Sequence, residues 1–237
     1  MPSDSRAALS RSNNGWLSAP ERRLLDWLAP RLPSWATPDQ LTAFGFMGAV
    51  LALAGYALAD RLPLALWLVN VGLIVNWFGD SLDGKVARMR GIERPHYGLF
   101  LDQSTDVLAQ LLFAVGLALS GYIRAEIVAM GFATFLMMGM QGLLRAEVRR
   151  VFHLASGGIG LTEIRCLFFI ANALFYFWPP RPMAVGPLSI SYADVLGIVW
   201  IATNLALYVG VMISELIALS REERRRTQSS SASPHDR

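Results

Sequence analysis

Six stretches of this 237-residue chain are apolar over close to the length of a bilayer crossing, and charged residues fall almost wholly between them. They cover residues 41–59, 62–79, 107–122, 127–144, 159–178 and 195–219, where about 20 residues are needed to cross the hydrocarbon core. No water is available there to satisfy backbone N–H and C=O groups, so a spanning segment of this length has to be a helix. The chain therefore reads as an all-α integral membrane protein with six transmembrane helices. Its 54% hydrophobic and 16% charged residues contrast with a soluble domain, in which about 25% are charged. The third stretch is short unless its helix begins near Gly98, which would bring Asp102 and Asp106 into its first turns.

Cations in short flanking loops orient such a chain, because Lys and Arg favour the cytoplasmic side. Arg6, Arg11, Arg22, Arg23 and Arg31 precede the first span, and Lys85, Arg88, Arg90 and Arg94 lie between the second and third. Arg145, Arg149 and Arg150 follow the fourth span and Arg221, Arg224, Arg225 and Arg226 the sixth, whereas the opposite loops offer Arg61, Arg124 and Arg181. Both termini are expected in the cytoplasm. The net charge of +3 is then an orientation signal, and no nucleic-acid partner is expected. Residues 1–36 read as a cytoplasmic segment with no cleaved secretory signal. Within it, residues 20–32 pair Leu24, Leu25, Trp27 and Leu28 with Glu21, Arg22, Arg23 and Asp26, the pattern of an amphipathic helix lying in the membrane interface and ended by Pro30. Residues 37–220 form the transmembrane domain, and the charged, then Ser-rich 221–237 reads as a disordered tail. A single cysteine, Cys166, excludes an intrachain disulfide and a cysteine-based metal site.

Within this apolar frame four aspartates stand out. At 100° per residue, Asn76, Asp80, Asp83, Gly84, Ala87 and Arg88 share one helix face about 140° wide, with Lys85 pointing away. On the following helix Gly98, Asp102 and Asp106 stack at i, i+4 steps and Gln110 continues the row. If the two helices pack, four carboxylates converge. An acidic residue near a bilayer centre costs about 2.5–3.5 kcal/mol, and crowding like charges adds to that. A divalent cation resolves the conflict. The donors are all hard oxygens, with no His or Cys in the rows, which favours magnesium, manganese or calcium, and four carboxylates suffice for two ions clamping phosphoryl oxygens. Gly84 and Ala87 keep the helix surface flat enough for a ligand to approach the backbone, and Arg88 offers a cation for phosphate. Helix packing is the other use of such small residues.

Asp80-x-x-Asp83-Gly84-x-x-Ala87-Arg88 followed by Gly98-x-x-x-Asp102-x-x-x-Asp106 resembles the signature of the CDP-alcohol phosphotransferases, membrane enzymes of phospholipid head-group synthesis. Nine residues separate Arg88 from Gly98, one more than is usual in that family, which bears on the shape of the loop. The resemblance implies a CDP-linked donor such as CDP-diacylglycerol, CDP-ethanolamine or CDP-choline, a hydroxyl acceptor, release of CMP, and two divalent cations, Mg²⁺ or Mn²⁺. It implies metal binding by Asp80, Asp83, Asp102 and Asp106, CDP binding by Asp80, Asp83, Gly84, Ala87 and Arg88, and catalytic roles for Asp106 as general base and for Arg88. It further implies contact with membrane lipids and a homodimer, while the cation count places the active site on the cytoplasmic face of what is expected to be a bacterial inner membrane.

Gly160-Leu161-Thr162-Glu163 resembles a Gly-Pro-Thr-Glu stretch of some cholinephosphotransferase and ethanolaminephosphotransferase relatives, with Leu161 in place of Pro. Glu163, Arg165 and Arg145 lie at the expected depth of the aspartates and are candidates for binding the acceptor. The residues do not decide whether the lipid arrives on the CDP or as the acceptor. A cation transporter is the alternative reading, since intramembrane carboxylates mark ion paths, but it predicts broken helices with acids near the midplane. A non-catalytic scaffold leaves the acids unexplained.

Overall fold

A computed structural model describes residues 10–12, 16–149, 151–153, 160–185 and 188–231. Seven helices dominate: α1 (Ser18–Leu28), α2 (Pro38–Ala59), α3 (Ala65–Arg90), α4 (Pro95–Leu119), α5 (Ala125–Arg149), α6 (Leu161–Phe177) and α7 (Tyr192–Ser231). Each apolar stretch of the sequence overlaps one of α2 to α7, though the second begins before α3, the third ends after α4 and the fifth runs past the end of α6. Four of these, Pro38–Ala59, Ala65–Arg90, Ala125–Arg149 and Tyr192–Arg224, are long and apolar enough to cross a membrane, and the chain is read as an integral membrane protein on that basis. Of the other two, α6 has 17 residues and α4 carries Asp102 and Asp106 in its first half.

The start of α2 is set locally. Thr37 accepts a hydrogen bond from the Gln40 amide at 3.3 Å while the Gln40 side chain accepts one from the Thr37 amide at 3.0 Å, and Pro38 occupies the first helical position. α2 then packs against α3 along a seam of small residues. A Cβ on Gly48 would lie 2.5 Å from the amide nitrogen of Asn76, and one on Gly72 would lie 2.6 Å from the carbonyl oxygen of Gly48. Gly45 faces Gly79, and Gly55 faces Ala65 and Val69. Close backbone approach is the way apolar helices gain dispersion energy where water supplies no driving force. Here the small residues serve that purpose within the chain, and the seam fixes α3 rigidly against α2.

Hydropathy places the end of the second apolar stretch at Gly79, but α3 continues to Arg90 and stops at Gly91, whose φ of +64° is the left-handed conformation that ends helices. The 11 residues beyond Gly79 are held by tertiary bonds. Arg90 donates to the carbonyl oxygens of Ala36 (2.7 Å), Pro33 (2.9 Å), Leu32 and Ser34 (both 3.3 Å), which ties the linker between α1 and α2 to the end of α3. Arg94 pairs with Asp39 and Lys85 with Asp26.

The N-terminal helix α1 ends at Leu28 and runs into a single 3-10 turn, Ala29–Arg31, at Pro30. Its Glu21 accepts from Trp77 Nε1 and from Thr162 Oγ1, both at 2.8 Å, so one carboxylate joins α1, α3 and α6. Leu25 is buried against Leu41, Leu82 and Val86, while Leu24 and Trp27 face outward. A second core joins Tyr56, Leu66, Val69, Leu117, Val128 and Phe175. Through it runs a buried polar chain in which Tyr56 donates to Asn172 (2.8 Å) and Asn172 to Asn70 (2.9 Å).

Two features depart from the sequence reading. Residues from 221 onward were expected to lack structure, but α7 continues through Ser231; Glu222, Glu223 and Arg224 favour helix, and Arg149 pairs with Glu222 at 2.5 Å across from α5. Short strands also occur, β1 (Ser10–Ser12) parallel to β2 (Val151–His153) and β3 (Met183–Val185) antiparallel to β4 (Leu188–Ile190). The remainder of the expected tail, 232–237, and of the N-terminal segment, 1–9 and 13–15, lies outside the described residues, as does Arg150.

Candidate active site

The C-terminal third of α3 and the N-terminal half of α4 both pack against α2 and are joined by the short turn that starts at Gly91, so that their acids meet across α2. Asp80 from α3 and Asp102 and Asp106 from α4 each offer a carboxylate oxygen within 4.8 Å of the others, and all three are half-buried. Asp83 lines the same crevice together with Thr42, Gly45, Asn76 and Thr105. The convergence that helical spacing allowed is therefore realised in the fold, with Asp83 set apart from the tightest group by its own partner. Thr42 donates to its Oδ2 at 2.6 Å, and the Gly84 amide donates to its Oδ1.

At that separation each pair of ionised carboxylates repels by roughly 3 kcal/mol at an effective dielectric near 20. Part of the repulsion is met by Arg165, which crosses from α6 to pair with Asp80 Oδ2 at 2.6 Å and donates to Asn76 Oδ1 at 3.2 Å. Asn76 in turn donates to the Gly45 carbonyl, also at 3.2 Å. The donors are oxygens alone, close enough for one cation to bridge, which fits a hard divalent ion better than zinc or copper.

The residues expected beside the acids occupy an open face. A Cβ on Gly84 would meet Arg88 first, the three nearest atoms all belonging to that guanidinium, at 3.4 to 3.9 Å. Among the described residues no neighbouring helix crowds Gly84 as α2 crowds Gly79. Ala87 is half-buried one turn on, Arg88 is exposed, and Gly98 has open space around its Cα.

The candidates for acceptor binding separate. Arg165 belongs to the acid cluster. Glu163 uses its carboxylate on backbone, accepting from the Gly160 amide (2.9 Å) to cap α6 and from the Leu17 amide (2.8 Å). Arg145 and Arg149 both pair with Glu215 of α7, at 2.8 and 2.9 Å, and thereby tie α5 to α7. Thr42 was not foreseen as an aspartate partner. It sits 41 residues before Asp83, and nothing in its local pattern signals the contact.

Beyond the acid crevice a cavity of about 470 Å³ opens among α4, α5, α6 and α7, with Tyr56 of α2 and Leu73 and Asn76 of α3 along one side. Asp106, Asn76 and Arg165 form its polar end, and Phe132, Phe135, Phe168 and Trp200 are among its apolar walls.

Comparison with known proteins places the chain among relatives of known name. An archaetidylinositol phosphate synthase of Pyrococcus horikoshii is 35% identical over 91 residues, 38% of this chain and 45% of that protein. A protein of the same name from Methanothermobacter thermautotrophicus is 34% identical over 128 residues, 54% of this chain and 58% of that one. Cholinephosphotransferase 1 of Danio rerio is 25% identical over 185 residues, 73% of this chain and 48% of the relative. The chain thus spans about half the length of the curated relatives it matches. Residues 35–216 match the CDP-alcohol phosphatidyltransferase family, a stretch that holds α2 to α6, most of α7 and every residue of the acid crevice, and the chain belongs to that family.

Proposed function

We propose that this protein transfers a substituted phosphate from a CDP-linked donor to a hydroxyl acceptor, releasing CMP, in phospholipid head-group synthesis. The observation that carries the reading is the three-carboxylate group of Asp80, Asp102 and Asp106 within 4.8 Å, in a chain of this family. Asp80, Asp83, Asp102 and Asp106 would hold two divalent cations, magnesium or manganese. Bound there, such ions neutralise developing charge on the transferred phosphate and the departing CMP. Gly84 and Ala87 admit the nucleotide to the helix surface, and Arg88 pairs with its diphosphate. Asp106 accepts the proton of the attacking hydroxyl. Arg165, at the edge of the acid group, orients Asp80 and presents positive charge toward the acceptor side. Glu163 supports that side indirectly by fixing the start of α6, and Arg145 by tying α5 to α7.

The same reading places all of α2 to α7 across the membrane, with α1 in the interface. The pairs Arg94–Asp39, Arg165–Asp80 and Arg145–Glu215 gather the cation-rich helix ends on one side of the bundle. That supports a cytoplasmic active site under the positive-inside bias, as in a bacterial inner membrane, within reach of a soluble nucleotide.

Purified protein should release CMP from a CDP-alcohol only with Mg²⁺ or Mn²⁺ present. Asp106→Asn should keep the fold and metal-dependent CDP binding while transfer falls to background. Turnover that persists in Asp106→Asn, or that survives chelation, would overturn the mechanism.

A further inference from the structure

Within the transferase reading, on which this inference rests, the cavity identifies which substrate carries the lipid. Its polar end is Asp106, the residue that would take the acceptor's proton, with Asn76 and Arg165 beside it. Gly84, Ala87 and Arg88, the nucleotide face, do not border it. The cavity and the nucleotide surface thus lie on different flanks of the acid group. In an in-line displacement the attacking oxygen and the departing CMP also occupy opposite sides of phosphorus. The cavity is therefore on the attack side.

What can occupy it follows from its walls. A volume of about 470 Å³ falls in the range that holds an extended organic ligand, and aromatic and aliphatic side chains line it beyond the polar end. Of its polar groups beyond Asp106, Arg165 is engaged with Asp80 and Asn76, Asn76 with the Gly45 carbonyl, and Asn172 with Tyr56 and Asn70, while Gln110, one turn on from Asp106, also lines it. A small hydrophilic alcohol would lose its hydration there with few partners in exchange. A lipid alcohol loses none: its hydroxyl reaches Asp106 at the polar end while its chains line the aromatic walls.

We infer that the acceptor is a membrane-resident lipid alcohol of the diacylglycerol type and that the donor is a water-soluble CDP-alcohol. The acceptor hydroxyl oxygen bonds to the β-phosphorus, and the bond from that phosphorus to the oxygen bridging the α-phosphate breaks. CMP leaves with the bonding pair, and the hydroxyl proton passes to Asp106.

The test uses the full chain in nanodiscs with Mn²⁺. One arm supplies radiolabelled CDP-ethanolamine or CDP-choline with dioleoylglycerol, the other CDP-dioleoylglycerol with serine, glycerol 3-phosphate or inositol phosphate. Labelled phospholipid should form in the first arm at least tenfold faster than product in the second. Ala171→Phe, which intrudes on the cavity wall, should raise the KM for dioleoylglycerol tenfold or more and leave that for CDP-ethanolamine within twofold. Faster product from CDP-dioleoylglycerol and a hydrophilic alcohol would overturn the inference, as would a rise in donor KM alone in Ala171→Phe. Those results would leave the transferase reading standing. No CMP from any donor, together with no metal-dependent CDP binding, would instead remove that reading and the inference with it.

Discussion

Two glycines five residues apart on α3 should respond to alanine in opposite ways. At Gly79 an added Cβ would lie 2.4 Å from both the Leu41 carbonyl oxygen and the Gly45 amide nitrogen, roughly 1 Å inside ordinary contact distance. The atoms struck are backbone, so relief requires α3 to move away from α2. Overpacking of this kind costs about 1–3 kcal/mol, and a rigid backbone contact belongs at the upper end, while alanine's better helix propensity returns about 1 kcal/mol. The net loss expected is about 2 kcal/mol, or roughly 4–8 °C in melting temperature for a chain of this size. Because Asp80 is the next residue, an ångström of displacement also disturbs the carboxylate group, and such misplacement costs about 100-fold in rate. At Gly84 the added methyl meets only the flexible Arg88 side chain, at 3.4 Å. Gly84→Ala should leave stability within about 0.5 kcal/mol of the parent yet weaken metal-dependent CDP binding at least tenfold. Intrinsic tryptophan fluorescence during heating in detergent, paired with calorimetric CDP titration, reads both effects. Equal melting temperatures for the two variants would refute the division into a packing glycine and a ligand glycine, as would unchanged CDP affinity in Gly84→Ala.

Arg88→Ala should lower both CDP affinity and rate with no change in melting temperature, since the guanidinium is exposed; unaltered affinity by titration would count against its pairing with the diphosphate. Arg90→Ala removes donors to four carbonyl groups and should free the linker between α1 and α2, seen as faster amide hydrogen exchange over residues 32–41 with no gain in exchange at the middle of α6. Tyr56→Phe interrupts the Tyr56–Asn172–Asn70 chain and should cost about 0.6–1.7 kcal/mol, the range for hydrogen bonds between membrane helices, measured by unfolding in mixed micelles. Chelation with EDTA should abolish CDP binding to the parent protein, and Mn²⁺ should restore it.

Much of the site could be read from the chain because it is built from local spacing. Asp80 and Asp83 share a helix face by arithmetic, and so do Asp102 and Asp106; what brings the two faces together is α2, against which both helices pack. What spacing cannot give is the third dimension. Arg165 meets Asp80 from 85 residues away, and its i, i+3 and i, i+4 neighbours carry no mark of that partner. Glu163 looked like an acceptor ligand because it is an acid at the right depth, but an acid three residues into a helix is equally placed to satisfy the free amide ahead of it, and that is what Glu163 does for Gly160. The glycine seam of α2, at Gly45, Gly48 and Gly55, was not read from the chain, because small residues within an apolar stretch carry no mark of the helix they meet. Strands of three residues such as β1 and β3 are too short to show any periodicity. Helix continuation past Arg221 was hidden for another reason: solvation of charged residues argued for disorder, and the bond from Arg149 to Glu222 that holds the first turn is not a local feature.

The packing also separates two tasks that a transferase working at a membrane has to reconcile. Half of the apolar stretch of α3 is buried inside the protein against 6% of that of α7. The glycine seam locks α3 to α2 with no room for side chains, so Asp80 and Asp83 ride on a closely packed pair of helices, as positioning to a fraction of an ångström demands. Helices α5 to α7 meet instead through large rings, Trp200 against Phe135 and Phe168 at centroid distances of 6.0 and 6.3 Å, and through the Arg145–Glu215 pair at one end. Rings that large hold helices apart, and the volume between them becomes the cavity that reaches Asp106. Helix α4 belongs to both halves. It brings Asp102 and Asp106 to the rigid pair and Phe113 and Leu117 to the open side, so that the base stands on the boundary between ordered acid and apolar space. A substitution that tightened the α5–α7 side would therefore act on the acceptor alone, and one that loosened the α2–α3 seam would act on everything.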